Sequence, residues 1–575
     1  MNTIPRPEHP NPQFERLDWI NLNGKWEFEI DTGVSGIDRE FFKRTSLNSE
    51  ITVPFCPESV LSGIGNTDFL NCVWYLKKFK LPKGTKGKRV ILHFGAIDYE
   101  SHIYINTEKA FYHIGGYSSF EVDITKYLKY GEENIITVCA IDKKGSKASG
   151  KQSDKYGSHD CFYTRTTGIW QTVWLEFVPK NYVKRVKYYP MPEQKSLLIE
   201  AETVGDEEFV AECSYRGKKV GEVKARLHEG TSRLVLPLDE LHLWEEGKGR
   251  LYDLNITYGK DSVKSYFGMR TAGFDKKNFL LNSKPLFLRT VLDQGYYKEG
   301  IYTAKDEDEL KRDIKLSLDA GFNGARLHQK VFEPRFLYHC DKAGYLVFGE
   351  TGNWGLDVSD ISCLPDFLDE WIEIINRDFN HPSIVGWCPL NETWDYENRH
   401  QNDGLIKSMY YATKAQDSTR PCIGTSGNYQ VVSDIYDIHD YLQKKDEFEG
   451  IYLAKDLDTM LKEYDRTHDW VSKYQNSSEW KDYPIFVSEY GGIRWDKADV
   501  GGWGYGDAPK TEEEFFERYE YLTKAIINSP YVCGFCYTQL YDVEQEVNGL
   551  YTYEREPKFD MQKIKSITQT ERKIK

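Results

Sequence analysis

The stretch LFLRTVL (Leu286–Leu292), followed by DELKRDIKLSLDAGFNGARLH (Asp308–His328), decides the fold. Leu286–Leu292 is an apolar run of strand length, closed by Asp293 and Gln294. Leu310, Ile314 and Leu318 then recur at four-residue spacing, the stripe of an amphipathic helix, and Gly321 supplies a residue suited to ending it. Asn323–His328 follows as a second short strand. The alternation continues through Tyr345–Glu350, Ile384–Glu392, Cys422–Gly427, Ile435–His439, Ile485–Glu489 and Val532–Leu540. Ahead of the last of these, Thr511 and Glu514 form a capping box before Phe515, Tyr519, Leu522 and Ile526, which share one helix face. Eight strand–helix units in about 300 residues predict a (β/α)8 TIM barrel over 273–575. The structural alternative is an open doubly wound sheet, which often carries a Gly-rich phosphate loop; none is present.

Upstream of Gly273 the pattern is β throughout. In Lys25–Ile30, Trp26, Phe28 and Ile30 alternate with charged residues, as in a half-buried strand. Val90–Phe94, Ile103–Ile105, Phe120–Ile124, Asn134–Ile141 and Trp170–Glu176 are further strands between turn-forming residues. They predict a jelly-roll, sugar-binding-like domain over 1–182. Ser196–Glu202, Phe209–Tyr215, Ser232–Pro237 and Leu251–Tyr258 predict an immunoglobulin-like β-sandwich over 183–272.

Composition narrows the function. The 575 residues carry a net charge of −15, which disfavours a general nucleic-acid binder. There is no apolar run long enough for a membrane span and no secretory signal, so a cytoplasmic protein without a membrane partner is expected. The eleven cysteines are scattered, as buried thiols of a reducing compartment would be. Cys533 and Cys536 form a lone C-x-x-C inside an apolar strand, a poor zinc or redox motif. No metal or cofactor is expected, and a homo-oligomer is compatible with the sequence.

Catalytic groups of such barrels gather at the C-terminal ends of the strands. Those ends supply Asp293, Gln294, Arg326, His328, Glu350, Asn391, Glu392, His439, Asp440, Tyr441, Glu489, Tyr490, Gln539, Tyr541 and Asp542, with Trp354, Trp394, Trp495 and Trp503 in the following loops. Carboxylates beside aromatic rings suit a sugar, whose hydroxyls take polar partners and whose C–H faces take rings. Glycoside hydrolysis needs two carboxyls flanking the anomeric carbon. Strand-end position alone leaves the choice of pair open.

The segment IVGWCPLNETW (Ile384–Trp394) resembles the acid/base motif of glycoside hydrolase family 2, and PIFVSEYGG (Pro484–Gly492) resembles its nucleophile strand. GFNGARLHQ (Gly321–Gln329) is loosely similar to a further strand motif of the family, with His328 two rather than three residues after Arg326. LNGKWEFEID (Leu22–Asp31), HIGGYSSFEVDIT (His113–Thr125), GIWQTVWLE (Gly168–Glu176) and DSVKSYFGMR (Asp261–Arg270) resemble its sugar-binding and immunoglobulin-like modules, in the family's order. The resemblance implies a retaining double displacement, with Glu489 as nucleophile, Glu392 as acid/base and Asn391 on the sugar 2-hydroxyl. Asp293, Arg326, His328, Glu350, Trp354, His439, Tyr441, Trp503 and Gln539 are the candidate substrate-binding residues. Glu350 also suits the part of an Arg326 partner, and Tyr441 that of a hydrogen-bond donor to the nucleophile.

The sugar is narrowed mainly by exclusion. β-Glucuronidases of the family hold the sugar carboxylate with an Asn-x-Lys motif, whereas here Asn548-Gly549-Leu550 lacks the lysine. A terminal β-galactoside is therefore the first expectation for a glycoside or oligosaccharide substrate. Arabinosidase, galactofuranosidase, β-glucuronidase and β-mannosidase specificities are the alternatives. A non-catalytic carbohydrate-binding protein is the rival from another class, and the presence of both glutamates speaks against it.

Overall fold

The computed structural model describes residues 4–395, 399–427, 431–468, 482–496 and 501–573. The first third folds as two antiparallel sheets. One has the order Ser49–Val53, Gly24–Ile30, Cys72–Lys80, Glu133–Ile141, Glu100–Ile105, Glu108–Ile114. The other runs Trp19–Asn21, Val173–Val178, Arg89–Phe94, Phe120–Asp123. They share a core in which Trp26, Phe28 and Tyr75 of one sheet meet Leu92, Phe94 and Leu175 of the other. The central strand Cys72–Lys80 escapes a reading by alternation because both its faces are covered. Val73 and Tyr75 enter the inter-sheet core, while Cys72 and Trp74 pack with Phe41 and Tyr104 on the opposite face.

GIWQTVWLE also departs from its expected form. The strand starts at Val173, whereas Gly168–Ile169 pairs with Ile97–Asp98. Trp170 lies between these strands and is buried against Tyr302, with ring centroids 5.1 Å apart, where this module meets the barrel.

Seven strands from Tyr182 to Gly268 make the immunoglobulin-like sandwich. Its sheets have the orders Tyr182–Met191, Ser196–Val204, Gly230–Pro237 and Lys218–Leu227, Glu207–Tyr215, Leu251–Tyr258, Asp261–Gly268. Arg16 ties both β modules to the N-terminal segment, donating to Glu176 at 2.6 Å and to both oxygens of Asp261 at 2.9 Å.

In the barrel sheet every pairing is parallel. The order is Ile384–Cys388, Leu346–Glu350, Gly324–Leu327, Leu288–Asp293, Val532–Thr538, Ile485–Gly491, Tyr436–Asp440. The helix Glu307–Asp319 starts at Asp306, whose side chain accepts from Asp308 N and Glu309 N, and Gly321 follows its C-cap at φ +92°. Thr511 caps Glu512–Asn528 as the sequence implies, accepting from Glu514 N.

One expected strand is absent. Cys422–Gly427 makes only the isolated pairings Trp387–Cys422 and Asn391–Ser426. Ile423 N and Ser426 N still donate to Trp387 O and Leu390 O at 2.8 Å, but Gly424 N turns to Ser433 Oγ at 3.2 Å and Gly427 N to Asp437 Oδ1 at 2.7 Å, which breaks the ladder. A Cβ on Gly427 would stand 2.5 Å from the His439 ring, so this residue lets the backbone pass close to the barrel mouth. The strand Ile384–Cys388 is likewise shorter than expected, because Pro389 has no N–H to continue the ladder.

All eleven cysteines are free thiols; Cys161 and Cys363 are half-buried and the rest buried. Among the described residues no helix is long and apolar enough to cross a membrane.

Candidate active site

Glu489 lies near the end of Ile485–Gly491, in register with His439 on the neighbouring strand. Glu392 lies beyond Ile384–Cys388 with φ +41°, an uncommon backbone state for a side chain of this kind. Glu392 N donates to Ser426 O at 2.8 Å, so the irregular 422–427 segment holds this carboxylate's backbone.

The two carboxylates converge on His439. Its Nδ1 is 2.7 Å from Glu392 Oε1 and 3.4 Å from Glu489 Oε2. One oxygen of each carboxylate and one His439 nitrogen all lie within 4.8 Å of one another. Among the described residues these three are also the one histidine–carboxylate group spaced to hold a metal ion. The same spacing lets a carboxyl pair face a single sugar carbon.

The surroundings of the pair are unequal. Arg326 Nη1 donates to Glu489 Oε1 at 3.1 Å and to Ser488 O at 2.9 Å. Tyr441 donates to Glu489 Oε2 at 2.5 Å. Burial alone would raise the Glu489 carboxyl; His439, His328, Arg326 and the Tyr441 hydroxyl outweigh it and bring the group down to about 2. Burial would lower His439, yet Glu489 and Glu392 hold it above its ordinary value.

Behind the pair, Arg326 Nη2 donates to Glu350 Oε2 at 2.8 Å and to Asn391 Oδ1 at 2.9 Å. His328 Nδ1 lies 2.8 Å from Glu350 Oε1. Burial opposes ionisation of Glu350, but Arg326 and His328 keep its carboxyl below the ordinary range. Glu350 is thus fully occupied as a support. Asn391 is fixed through its backbone: Asn353 Nδ2 donates to Asn391 O at 3.0 Å and Trp354 Nε1 to the same oxygen at 3.2 Å. Among the described residues Asn391 Nδ2 is buried without a hydrogen-bond partner, a donor left over for a ligand.

Glu392, Glu489, Asn391, Arg326, His328, Glu350, His439, Tyr441 and Trp354 are therefore brought together. Gln539 is reached through Gln294, whose Nε2 donates to Gln539 Oε1 at 2.7 Å; among the described residues Gln539 Nε2 is buried and has no partner. Asp293 accepts from Tyr541 OH at 2.6 Å and Gly295 N at 3.0 Å, so it stitches the barrel mouth. Trp503 joins indirectly: it meets Tyr505 edge-on at 5.0 Å, and Tyr505 stacks on Tyr441 with centroids 3.4 Å apart.

Tyr505, Ser426, Asn353 and Gln329 belong to the same network and escaped the sequence reading. Tyr505 had a signal, its place beside Trp503 in GGWGYGD. The others are small polar residues of a kind common in loops. A separate cleft of about 320 Å³, where the β modules meet the barrel, is lined by His93, Glu176 and Arg377 and shares none of these residues.

The model of "Glycosyl hydrolases family 2, TIM barrel domain" matches residues 273–571, and that of the family's sugar binding domain matches 64–179. A β-galactosidase of Thermoanaerobacter pseudethanolicus is 27% identical over 395 residues, 65% of this chain and 51% of that protein, so the chain spans about half of its length. A β-glucuronidase of Streptococcus agalactiae is 24% identical over 597 residues and 94% of both chains. Among solved structures, a β-glucuronidase from an uncultured Clostridium superposes with a TM-score of 0.79 at 22% identity, over 97% of this chain and 99% of that one. One from Ruminococcus gnavus in complex with D-glucuronic acid gives 0.78 at 19% identity, over 98% and 100%. At such identities the two structures speak for the fold.

Proposed function

Given that the chain belongs to glycoside hydrolase family 2, whose barrel model covers more than half of its 575 residues, we propose that it is a retaining, exo-acting glycosidase. Glu489 attacks the anomeric carbon and forms a glycosyl-enzyme. Glu392 protonates the leaving oxygen, then takes a proton from the water that releases the sugar. The observation that carries this reading is the approach of the Glu392 and Glu489 oxygens to within 4.8 Å, the short carboxyl separation that double displacement requires. Glu489, held ionised by its neighbours, suits the nucleophile. Glu392, more exposed and with its carboxylate hydrogen-bonded to His439, suits a group that exchanges protons with leaving group and water. Asn391 Nδ2 supplies the donor for the sugar 2-hydroxyl.

For the sugar we favour a terminal neutral β-hexoside, with β-galactosides first. Leu550 is fully buried in the core, and Asn548 Nδ2 is spent on Glu546 Oε1 at 2.9 Å. The nearby Lys558 is bound to both oxygens of Asp542, at 2.8 and 3.0 Å. A β-glucuronide is the second reading, favoured by the name of the Streptococcus relative that aligns over 94% of both chains.

The test is a screen of nitrophenyl galacto-, gluco-, manno-, glucurono-, fuco- and arabinosides in both ring forms. NMR of the first-formed product follows, and the β anomer from a β-glycoside is expected. An inverted first product, or hydrolysis undiminished in Glu489→Gln, overturns the mechanism.

A further inference from the structure

Lys151 belongs to the first β module, yet its side chain is buried against the barrel, 5% exposed. Its loop is pinned there. Gly150 N donates to Gly352 O at 2.9 Å and Ser149 N to Trp354 O at 2.8 Å. Gly150 has φ +58°, and a Cβ on it would come 2.2 Å from Gln329 O, so the contact requires glycine. On its other side Tyr163 N donates to Lys151 O at 2.8 Å, and the Tyr163 hydroxyl donates to Glu546.

The Lys151 ammonium sits 5.4 Å from the Trp354 ring centroid and 5.8 Å from that of Tyr163. Among the described residues it has no hydrogen bond and no ion pair. Other buried lysines differ: Lys330 donates to Tyr302 O at 2.8 Å, and Lys558 holds Asp542. A buried ammonium without acceptors is costly unless a ligand supplies them. Burial would discharge it; Glu546, Glu489 and Glu392, all within electrostatic reach, keep it protonated.

We propose that Lys151 is a sugar-contacting specificity residue, contributed by the first module, whose ammonium donates to a ring hydroxyl of a neutral glycoside bound over Glu392 and Glu489. This rests on the glycosidase reading above and deepens it. The charge balance selects the neutral sugar. Glu546, Glu489 and Glu392 already act on this lysine, while Arg326 is bound to Glu489 and Glu350 and His439 lies against Glu392 and Glu489. A uronate would add a fourth anion. A hydroxyl accepts from Lys151 and still has a proton to donate to a neighbouring carboxylate.

The experiment is Lys151→Met, which keeps the length and volume of the chain and removes the charge. On the best neutral aryl glycoside, kcat/KM is expected to fall about 30- to 100-fold, the value of a hydrogen bond from a charged donor. The melting temperature should hold or rise, since an unpartnered buried charge is removed. Across monodeoxy aryl glycosides, one should be cleaved equally by both proteins, identifying the hydroxyl contacted.

Activity within threefold of wild type on every substrate overturns the proposal, as does a loss accompanied by a fall in melting temperature and equal across the deoxy series. A wild-type preference for uronides that Lys151→Met erases overturns the neutral-sugar assignment. Glu489→Gln, run alongside, separates the readings: if it is inactive while Lys151→Met is unaffected, the two-glutamate mechanism stands and the Lys151 assignment falls.

Discussion

The ends of two barrel strands carry chemically identical side chains in different surroundings. The Glu489 side chain is 4% exposed, and Arg326, Tyr441 and His439 all reach it. The Glu392 side chain is 17% exposed on a left-handed backbone, with its hydrogen bond to His439 as the contact that orients it. One carboxylate is held in its charged form by groups from two other strands and their ends, Arg326 on Gly324–Leu327 and His439 and Tyr441 at Tyr436–Asp440. The other carries one carboxylate hydrogen bond and is the more open to solvent. The difference teaches that role in a double displacement is set by what faces a carboxylate, since the side chains themselves do not differ.

The strongest way to break the comparison is Glu489→Gln. It should cost at least about 10³-fold in kcat/KM on an aryl glycoside, because no nucleophile remains. Near-normal turnover would show that the buried carboxylate is structural. Next, Glu392→Ala should lose about 10²-fold or more on substrates with poor leaving groups and far less on activated dinitrophenyl glycosides, which need no acid. Equal losses on both would remove the acid role.

Tyr441→Phe sharpens the contrast at smaller scale, with an expected loss of about tenfold from one missing hydrogen bond to a charged group. Glu489 must be ionised to attack, and with its carboxyl at about 2 the wild-type kcat/KM should show no acid limb from it near neutral pH. Removing the Tyr441 donor raises that carboxyl, so any acid limb from Glu489 should move to higher pH in the variant. A limb that stays in place would mean the hydroxyl does not stabilise the anion.

The smallest effect comes from a buried carboxyl without such cations. Glu370 accepts from Tyr117 N at 2.7 Å where the first module meets the barrel, and burial pushes its carboxyl up to about 8. A folded-state value above the ordinary 4.5 favours the folded state fully below about 4.5, and that contribution is lost as pH rises to about 8. Glu370→Gln should therefore gain a few degrees of melting temperature relative to wild type between about pH 5 and 8, then level off. A pH-independent difference would place the proton elsewhere.

Much of this architecture was legible locally. The apolar stripe Leu310, Ile314, Leu318 and the Thr511 cap announced barrel helices, and the alternation of Trp26 and Phe28 announced a sandwich strand. Cys72–Lys80 was hidden because burial on both faces erases alternation. Cys422–Gly427 was misjudged as a strand because apolar residues between turn signals do not reveal that Ser433 and Asp437 take the amides of Gly424 and Gly427. Lys151 and its neighbour Tyr163 were invisible to a local reading, since they come from another module and reach the barrel only once the chain is folded.

Taken alone, the chain's order of residues announced most of the alternation of strand and helix and put Glu350, Glu392 and Glu489 at strand ends, because hydrophobic period and capping act over a few neighbouring positions; the catalytic pair was singled out by the resemblance of two motifs. The division of labour between those glutamates was decided by tertiary structure. Coulomb interaction and desolvation depend on distance in space, and Arg326, His439 and Tyr441 reach Glu489 across 163, 50 and 48 positions of sequence.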